Sequence, residues 1–119
     1  MKLEIPLQLK LSANLIYAGR HWAQRKKDAD LYHQLIEEAV KKAKTTPIKE
    51  YPVNIIFYFY FKNRPLDPSN CFYLCKLAED GLIRSGIIKD DGPQFVDFIG
   101  CASRVDKANP RIEISIEEL

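Results

Sequence analysis

Cysteine is scarce in this sequence, histidine scarcer, and no stretch stays apolar for long. Three cysteines in 119 residues make no disulfide framework. Cys71 and Cys75 lie four apart in a segment that reads as helix, and Cys101 falls in one that reads as strand. With only His21 and His33 to join them, no zinc-binding spacing is present, and buried reduced thiols are the simpler reading. No apolar run approaches the roughly 20 residues needed to cross a bilayer. The opening MKLEIPLQLK lacks the apolar centre of a signal peptide. The expectation is a cytoplasmic protein with no membrane partner. Nothing repeats and nothing has linker composition, so residues 1–119 read as a single domain.

Charged residues at 29% and hydrophobic ones at 46% fit a globular fold. The net charge of +2 conceals an asymmetry. Residues 1–66 hold 12 Lys and Arg against 6 Asp and Glu, whereas residues 67–119 hold 6 against 10. A basic half joined to an acidic half suits a protein that grips a polyanion and sets carboxylates, with metal, at one point on it. Ordinary charge scatter is the competing reading.

Residues 2–10 alternate Leu3, Ile5, Leu7 and Leu9 against mostly polar neighbours, which predicts a half-buried strand. Residues 11–27 show no clean period and read as a long loop mixing Asn14, Tyr17, His21 and Trp22 with Arg20, Arg25, Lys26 and Lys27. Such cations among amphipathic aromatics can grip phosphates and pack on sugar or base; a surface loop pinned by Trp22 is the alternative. Helical spacing of Leu31, Leu35, Ile36, Ala39, Val40 and Ala43 predicts a helix over 28–44, with Asp28 and Asp30 at its start and Lys41, Lys42 and Lys44 at its end. Residues 53–61 give the clearest strand; its second face is also aromatic, so both faces should be covered and a subunit partner is expected. Residues 94–102 and 111–117 read as a closing antiparallel strand pair joined by SRVDKANP. The predicted class is α+β, a four-stranded mixed sheet with two helices in the order β-α-β-α-β-β.

The chemistry concentrates in residues 64–91. Asp67-Pro68-Ser69-Asn70 has the form of a helix start and Gly86 of its stop. Between them Ser69, Tyr73, Lys76 and Asp80 fall on one face, and Asp90-Asp91-Gly92-Pro93 follows as an acidic turn. Asp67, Asp80, Asp90 and Asp91 are thus candidate ligands for a hard divalent cation, with Lys76 placed to neutralise charge on a phosphate. Taken singly, a cap at Asp67, a surface pair Lys76–Asp80 and a turn at 90–92 are equally ordinary explanations.

These same residues resemble the core of RusA-type Holliday junction resolvases. That family shows an Asp-x-Asp-Asn start, a Lys-x-x-x-Asp step on the helix and a paired Asp-Asp after a glycine-containing turn. Here the corresponding stretches are Pro65 to Asn70, Lys76, Asp80-Gly81-Leu82, and Gly86-Ile87-Ile88-Lys89-Asp90-Asp91. Asn14-Leu15-Ile16-Tyr17-Ala18-Gly19-Arg20-His21-Trp22 through Arg25-Lys26-Lys27 is similar to the N-terminal part of the phage-borne branch. Two departures stand out: Ser69 replaces the second aspartate of the start motif, and Lys76 lies six residues after Asn70, about one turn farther than in some members.

The resemblance implies a homodimeric endonuclease that resolves four-way DNA junctions by paired nicks in recombination and repair, using Mg²⁺ with Mn²⁺ as a substitute. Asp67, Asp90 and Asp91 would hold metal. Asp67, Lys76, Asp80 and Asp91 would form the catalytic set. Asn14, Arg20, His21, Trp22, Arg25, Lys26, Lys27 and Asn70 would contact DNA. Because a serine hydroxyl is a far weaker ligand than a carboxylate, a second expectation is a copy that binds branched DNA without cutting it. A small interaction domain without nucleic acid is the third.

Overall fold

A computed structural model describes residues 1–7 and 10–118. The elements are β1 (Lys2–Pro6), α1 (Asn14–Tyr17), α2 (Trp22–Ala43), β2 (Val53–Phe61), α3 (Phe72–Arg84), β3 (Val96–Val105) and β4 (Arg111–Glu118), with a 3₁₀ turn over Pro68–Cys71 leading into α3. The class is α+β as expected: a mixed sheet of four strands, but with three helices rather than two. Of the first predicted strand, residues 8 and 9 lie outside the described residues, and the observed strand ends at Pro6.

Strand order is β1-β4-β2-β3. β2 has phenylalanine or a branched aliphatic at every inward position and carries a full complement of partners, parallel to β3 and antiparallel to β4. β4 in turn pairs antiparallel with β1. The predicted β3–β4 hairpin is therefore overturned. The α3 crossover brings β3 back parallel to β2, and β4 docks on the opposite edge of β2, satisfying backbone groups on both sides of the most apolar strand. Register places Phe57 opposite Ile114, Phe59 opposite Ile112 and Ile5 opposite Ile112, so these side chains form one continuous apolar face.

α2 and α3 cover that face, contributing Tyr32, Leu35, Ile36, Leu74, Leu77, Ala78 and Leu82 to the core. On the other face, no helix or strand of this chain among the described residues lies over β2. Asn54, Ile56, Tyr58 and Tyr60 are only half-buried, and what lies on them is guanidinium: Arg111 at 3.9 Å from the centre of the Tyr60 ring and Arg104 at 5.2 Å from that of Tyr58. These guanidinium groups stack on the aromatic faces and shield them.

The loop predicted over 11–27 is also corrected. A short α1 occupies its middle, and α2 starts at Trp22, capped by His21, whose Nδ1 accepts from the Ala23 N–H at 3.1 Å. Ala23, Gln24, Arg25, Lys26 and Lys27 are strong or tolerated helix formers, and this end of α2 stands clear of the core, so no apolar period marks it. Asp28, read as the helix start, lies well inside the helix and is buried. Asp67 precedes the 3₁₀ turn but caps nothing with its side chain; its carbonyl accepts from the Asn70 N–H at 2.8 Å. Gly86 does end the third helix, at φ +77°, with the Ile87 N–H reaching back to the Leu82 carbonyl.

α2 and α3 meet closely at Gly81. A Cβ there would lie 2.9 Å from Ile36 Cγ1 and 3.2 Å from the Tyr32 carbonyl oxygen. Gly81→Val gains little helix propensity and must push the two helices apart. A loss of about 1–3 kcal/mol in urea-unfolding stability is expected.

Candidate metal-binding and DNA-contact site

Three side chains of α3 begin the site: Lys76 and, one turn on, the consecutive Glu79 and Asp80. Beyond Gly86 the chain folds back, anchored by buried Ile87 and Ile88 and by the Lys89 N–H donating to the Tyr51 hydroxyl at 2.9 Å. This return delivers Asp91. The Lys76 ammonium lies 2.9 Å from Asp91 Oδ2, 3.3 Å from Asp80 Oδ1 and 3.4 Å from Glu79 Oε1. One oxygen from each carboxylate lies within 4.8 Å of the others. Glu79, Asp80 and Asp91 together could hold a metal ion.

Electrostatics within the group are uneven. Glu79 is 5% exposed, and that burial pushes its carboxyl up, with the charges of Asp91 and Asp80 adding to it against the pull of Lys76. Asp91 moves the other way, held down by its hydrogen bond from Lys76. Desolvation works to lower Lys76, but the Asp91 bond and the Asp80 and Glu79 charges outweigh it and raise the ammonium's pKa. With all four ionised, the group carries a net −2, which one divalent cation balances. Carboxylate oxygens are the donors that hard dications prefer.

The other expected ligands stand apart. Asp90 Oδ1 accepts the Asp91 N–H at 2.8 Å, shaping the turn, and neither Asp90 nor Asp67 joins the three-carboxylate group. Asp67 and Ser69 face solvent at the head of α3. The backbone there is gripped from β3: Cys101 Sγ donates to the Pro68 carbonyl at 3.3 Å, and Ser103 Oγ to that of Leu66. Glu79 escaped the sequence reading. Its signal was an acidic residue at a position of α3 where the period calls for an apolar one, between Cys75 and Leu82.

A second polar group ties α3 to the basic N-terminal segment. Asp28 is 3% exposed and receives a fork from Arg20, Nε to Oδ2 at 2.8 Å and Nη2 to Oδ1 at 3.0 Å. Tyr73, one turn before Lys76, donates its hydroxyl to Asp28 Oδ2 at 2.6 Å. Burial works to raise the Asp28 carboxyl, but the bonds from Arg20 and Tyr73 win and lower it. Tyr73 is pushed up to about 12 by burial and by that same bond. Among the expected DNA contacts, Arg20 is thus committed inward, and His21 caps α2. Asn14, Trp22, Arg25, Lys26 and Lys27 are exposed, with Lys26 3.1 Å from Asp30. Asn70 is half-buried, its carbonyl accepting from the Ala13 N–H at 3.0 Å, which joins the N-terminal segment to the head of α3.

No protein-family profile matches this chain, and it matches none of the curated proteins it was compared with. No helix among the described residues is long and apolar enough to cross a membrane.

The Asp28 group sets a pH dependence. Its folded carboxyl titrates below the ordinary value of about 3.9, so its contribution is complete above about pH 4 and is lost as pH falls through the depressed value. Asp28→Asn is expected to lower stability by about 3 kcal/mol at neutral pH, and Tyr73→Phe by about 2 kcal/mol. Denaturant titrations across pH should show the Asp28→Asn deficit shrinking as pH falls below about 4 and the wild-type carboxyl begins to take up its proton.

Proposed function

We propose that this chain is a divalent-metal-dependent endonuclease of the RusA type that acts in the cytoplasm, as a homodimer, on four-way DNA junctions. The observation that carries the reading is the convergence of Lys76 with Asp80 and Asp91. These residues come from the Lys-x-x-x-Asp and Asp-Asp parts of the resemblance, and the fold gathers them with Glu79 within hydrogen-bonding range. Exposed Arg25, Lys26 and Lys27 supply the cationic surface that a phosphate backbone needs. Paired nicks require two sites related by a two-fold axis, and the uncovered sheet face around Tyr58 and Tyr60 offers a second copy a place to pack.

In this mechanism Asp91, Asp80 and Glu79 would hold the ion, Mg²⁺ or in its place Mn²⁺. When bound, it supplies Lewis acidity toward a phosphodiester oxygen. Lys76, half-exposed beside these carboxylates, would offer its ammonium to the phosphate and stabilise the charge that builds there. Asp80 holds Lys76 in register from one turn below. Arg25, Lys26 and Lys27 fix the strand by its phosphates.

Cleavage of an end-labelled synthetic junction, with Mg²⁺, with Mn²⁺ and with chelator, tests the assignment. Metal-dependent symmetric nicks are expected, abolished in Asp91→Asn and slowed about 10²–10³-fold in Lys76→Ala. The two ligand sets separate cleanly. Glu79→Gln should impair cutting more than Asp67→Asn if the geometric group holds the ion, and the reverse order would return the role to Asp67. Absence of metal-dependent cutting in the wild type would remove the nuclease reading. Ser69 favours one alternative, a branched-DNA binder: such a protein would bind the junction and cut only after Ser69→Asp. Junction affinity should fall steeply between 50 and 200 mM salt, and Arg25→Ala and Lys27→Ala should each flatten the slope of log K against log salt by about 1.

A further inference from the structure

The two most exposed large apolar side chains among the described residues stand five positions apart: Tyr17 at 88% and Trp22 at 66%. Burying such a ring is worth about 1.5–3 kcal/mol, and the fold forgoes that gain twice within one short stretch. Neither ring has a structural task. The N-terminus of α2 is capped by His21, and α1 contributes no buried residue. The His21 ring lies 5.6 Å from that of Trp22 and inclined to it by 31°, which braces the indole on one side and leaves it open on the other. Between Tyr17 and Trp22 the chain runs Ala18-Gly19-Arg20-His21, with Gly19 at φ +84° turning the segment.

Along the chain, the charge from these rings to the first turns of α2 is basic, with Lys26 paired to Asp30. From Ile5 to Lys27 the sequence contains no Asp or Glu, while Arg25 and Lys27 are exposed on the first turns of α2. Arg20, the cation nearest both rings in sequence, is held by Asp28 and so fixes the segment in place. Flat apolar faces beside unopposed cations match one ligand chemistry, an aromatic base carried on a phosphate backbone. In a closed duplex the base faces are stacked on one another and unavailable. An anionic lipid surface would need a broad apolar helix face, and α2 turns Tyr32, Leu35 and Ile36 inward.

We infer that Tyr17 and Trp22 form a stacking site for unpaired bases, with Arg25 and Lys27 holding the adjoining phosphates. It deepens the junction-nuclease reading by assigning nucleotides freed at a branch point to a surface separate from the carboxylate group. The inference rests on that reading only for its biological setting, since stacking requires neither metal nor cleavage. The N-terminal segment is nevertheless joined to the site helix through Arg20, Asp28 and Tyr73.

Trp22 is the sole tryptophan, so its emission reports the site directly. The intact chain, in chelator, is titrated with a thymidine oligonucleotide of about 20 nucleotides, with a blunt duplex of the same length, and with phosphatidylserine–phosphatidylcholine vesicles. Saturable quenching by the single strand is expected, with affinity at least about tenfold above that for the duplex. Anisotropy of a labelled oligonucleotide should show Trp22→Ala and Tyr17→Ala each weakening binding about tenfold or more, with unchanged circular dichroism. Equal quenching by duplex, unaltered affinity in both variants, or an emission shift with vesicles but not oligonucleotides would each overturn the inference. Adding Mg²⁺ and a junction separates the two claims. Wild type that stacks single strands but never cuts leaves this site standing without the nuclease; Trp22→Ala that binds and cuts as wild type does the opposite.

Discussion

One buried carboxylate holds the working parts of this molecule together. Asp28 lies inside α2, yet its oxygens are taken up by a guanidinium from the segment before the helix and a phenol from the helix across from it. Removing such a charge from water is expensive, and only a full set of charge-assisted bonds in fixed geometry offsets it. The bond that satisfies Asp28 therefore also sets where the basic segment lies and how α3 is rotated. Lys76 follows Tyr73 by three residues, so the rotation of α3 decides whether Lys76 meets the returning Asp91. Gly81 completes the arrangement from the other side, letting α2 and α3 approach closely enough for the Tyr73–Asp28 bond to form.

The carboxylate group around Lys76 is balanced differently. At Asp28 two donors serve one acid; around Lys76 one ammonium serves three, and the surplus is negative. The first arrangement is closed and finished, whereas the second retains capacity for added positive charge. Half-exposure of Lys76, Asp80 and Asp91 keeps that capacity open to solvent, while buried Glu79 gives it a fixed floor.

How much of this was legible in the sequence follows the physics of each element. β2 and β4 were plain because strict alternation has no other cheap reading, and Gly86 was plain because a left-handed residue ending a helix calls for glycine. Lys76 and Asp80 could be set on one face because spacing on a helix is local information, and Asp91 stood out as half of an acidic pair in a turn. The first turns of α2 were missed because a helix end that packs against little carries no apolar period, and the strand order was missed because pairing is decided between elements distant in sequence. The same limit hid the inward commitment of Arg20, which depends on what stands across from the residue, whereas a single chain of letters records only what stands beside it. Glu79 did leave a local sign, an acid at an apolar position of the helical period.

The position of β4 between β1 and β2 has a consequence for how the chain is made. A growing polypeptide that has released β1 holds a strand with no neighbour, since its partner is residues 111–118, more than a hundred positions later. β2, α3 and β3 can assemble first as a parallel unit, leaving one edge of the Phe-rich strand bare until β4 arrives. Insertion of β4 then closes two ladders at once and seats β1. The sheet is thus completed from its middle, and its last step joins segments with the greatest loop-closure entropy to overcome.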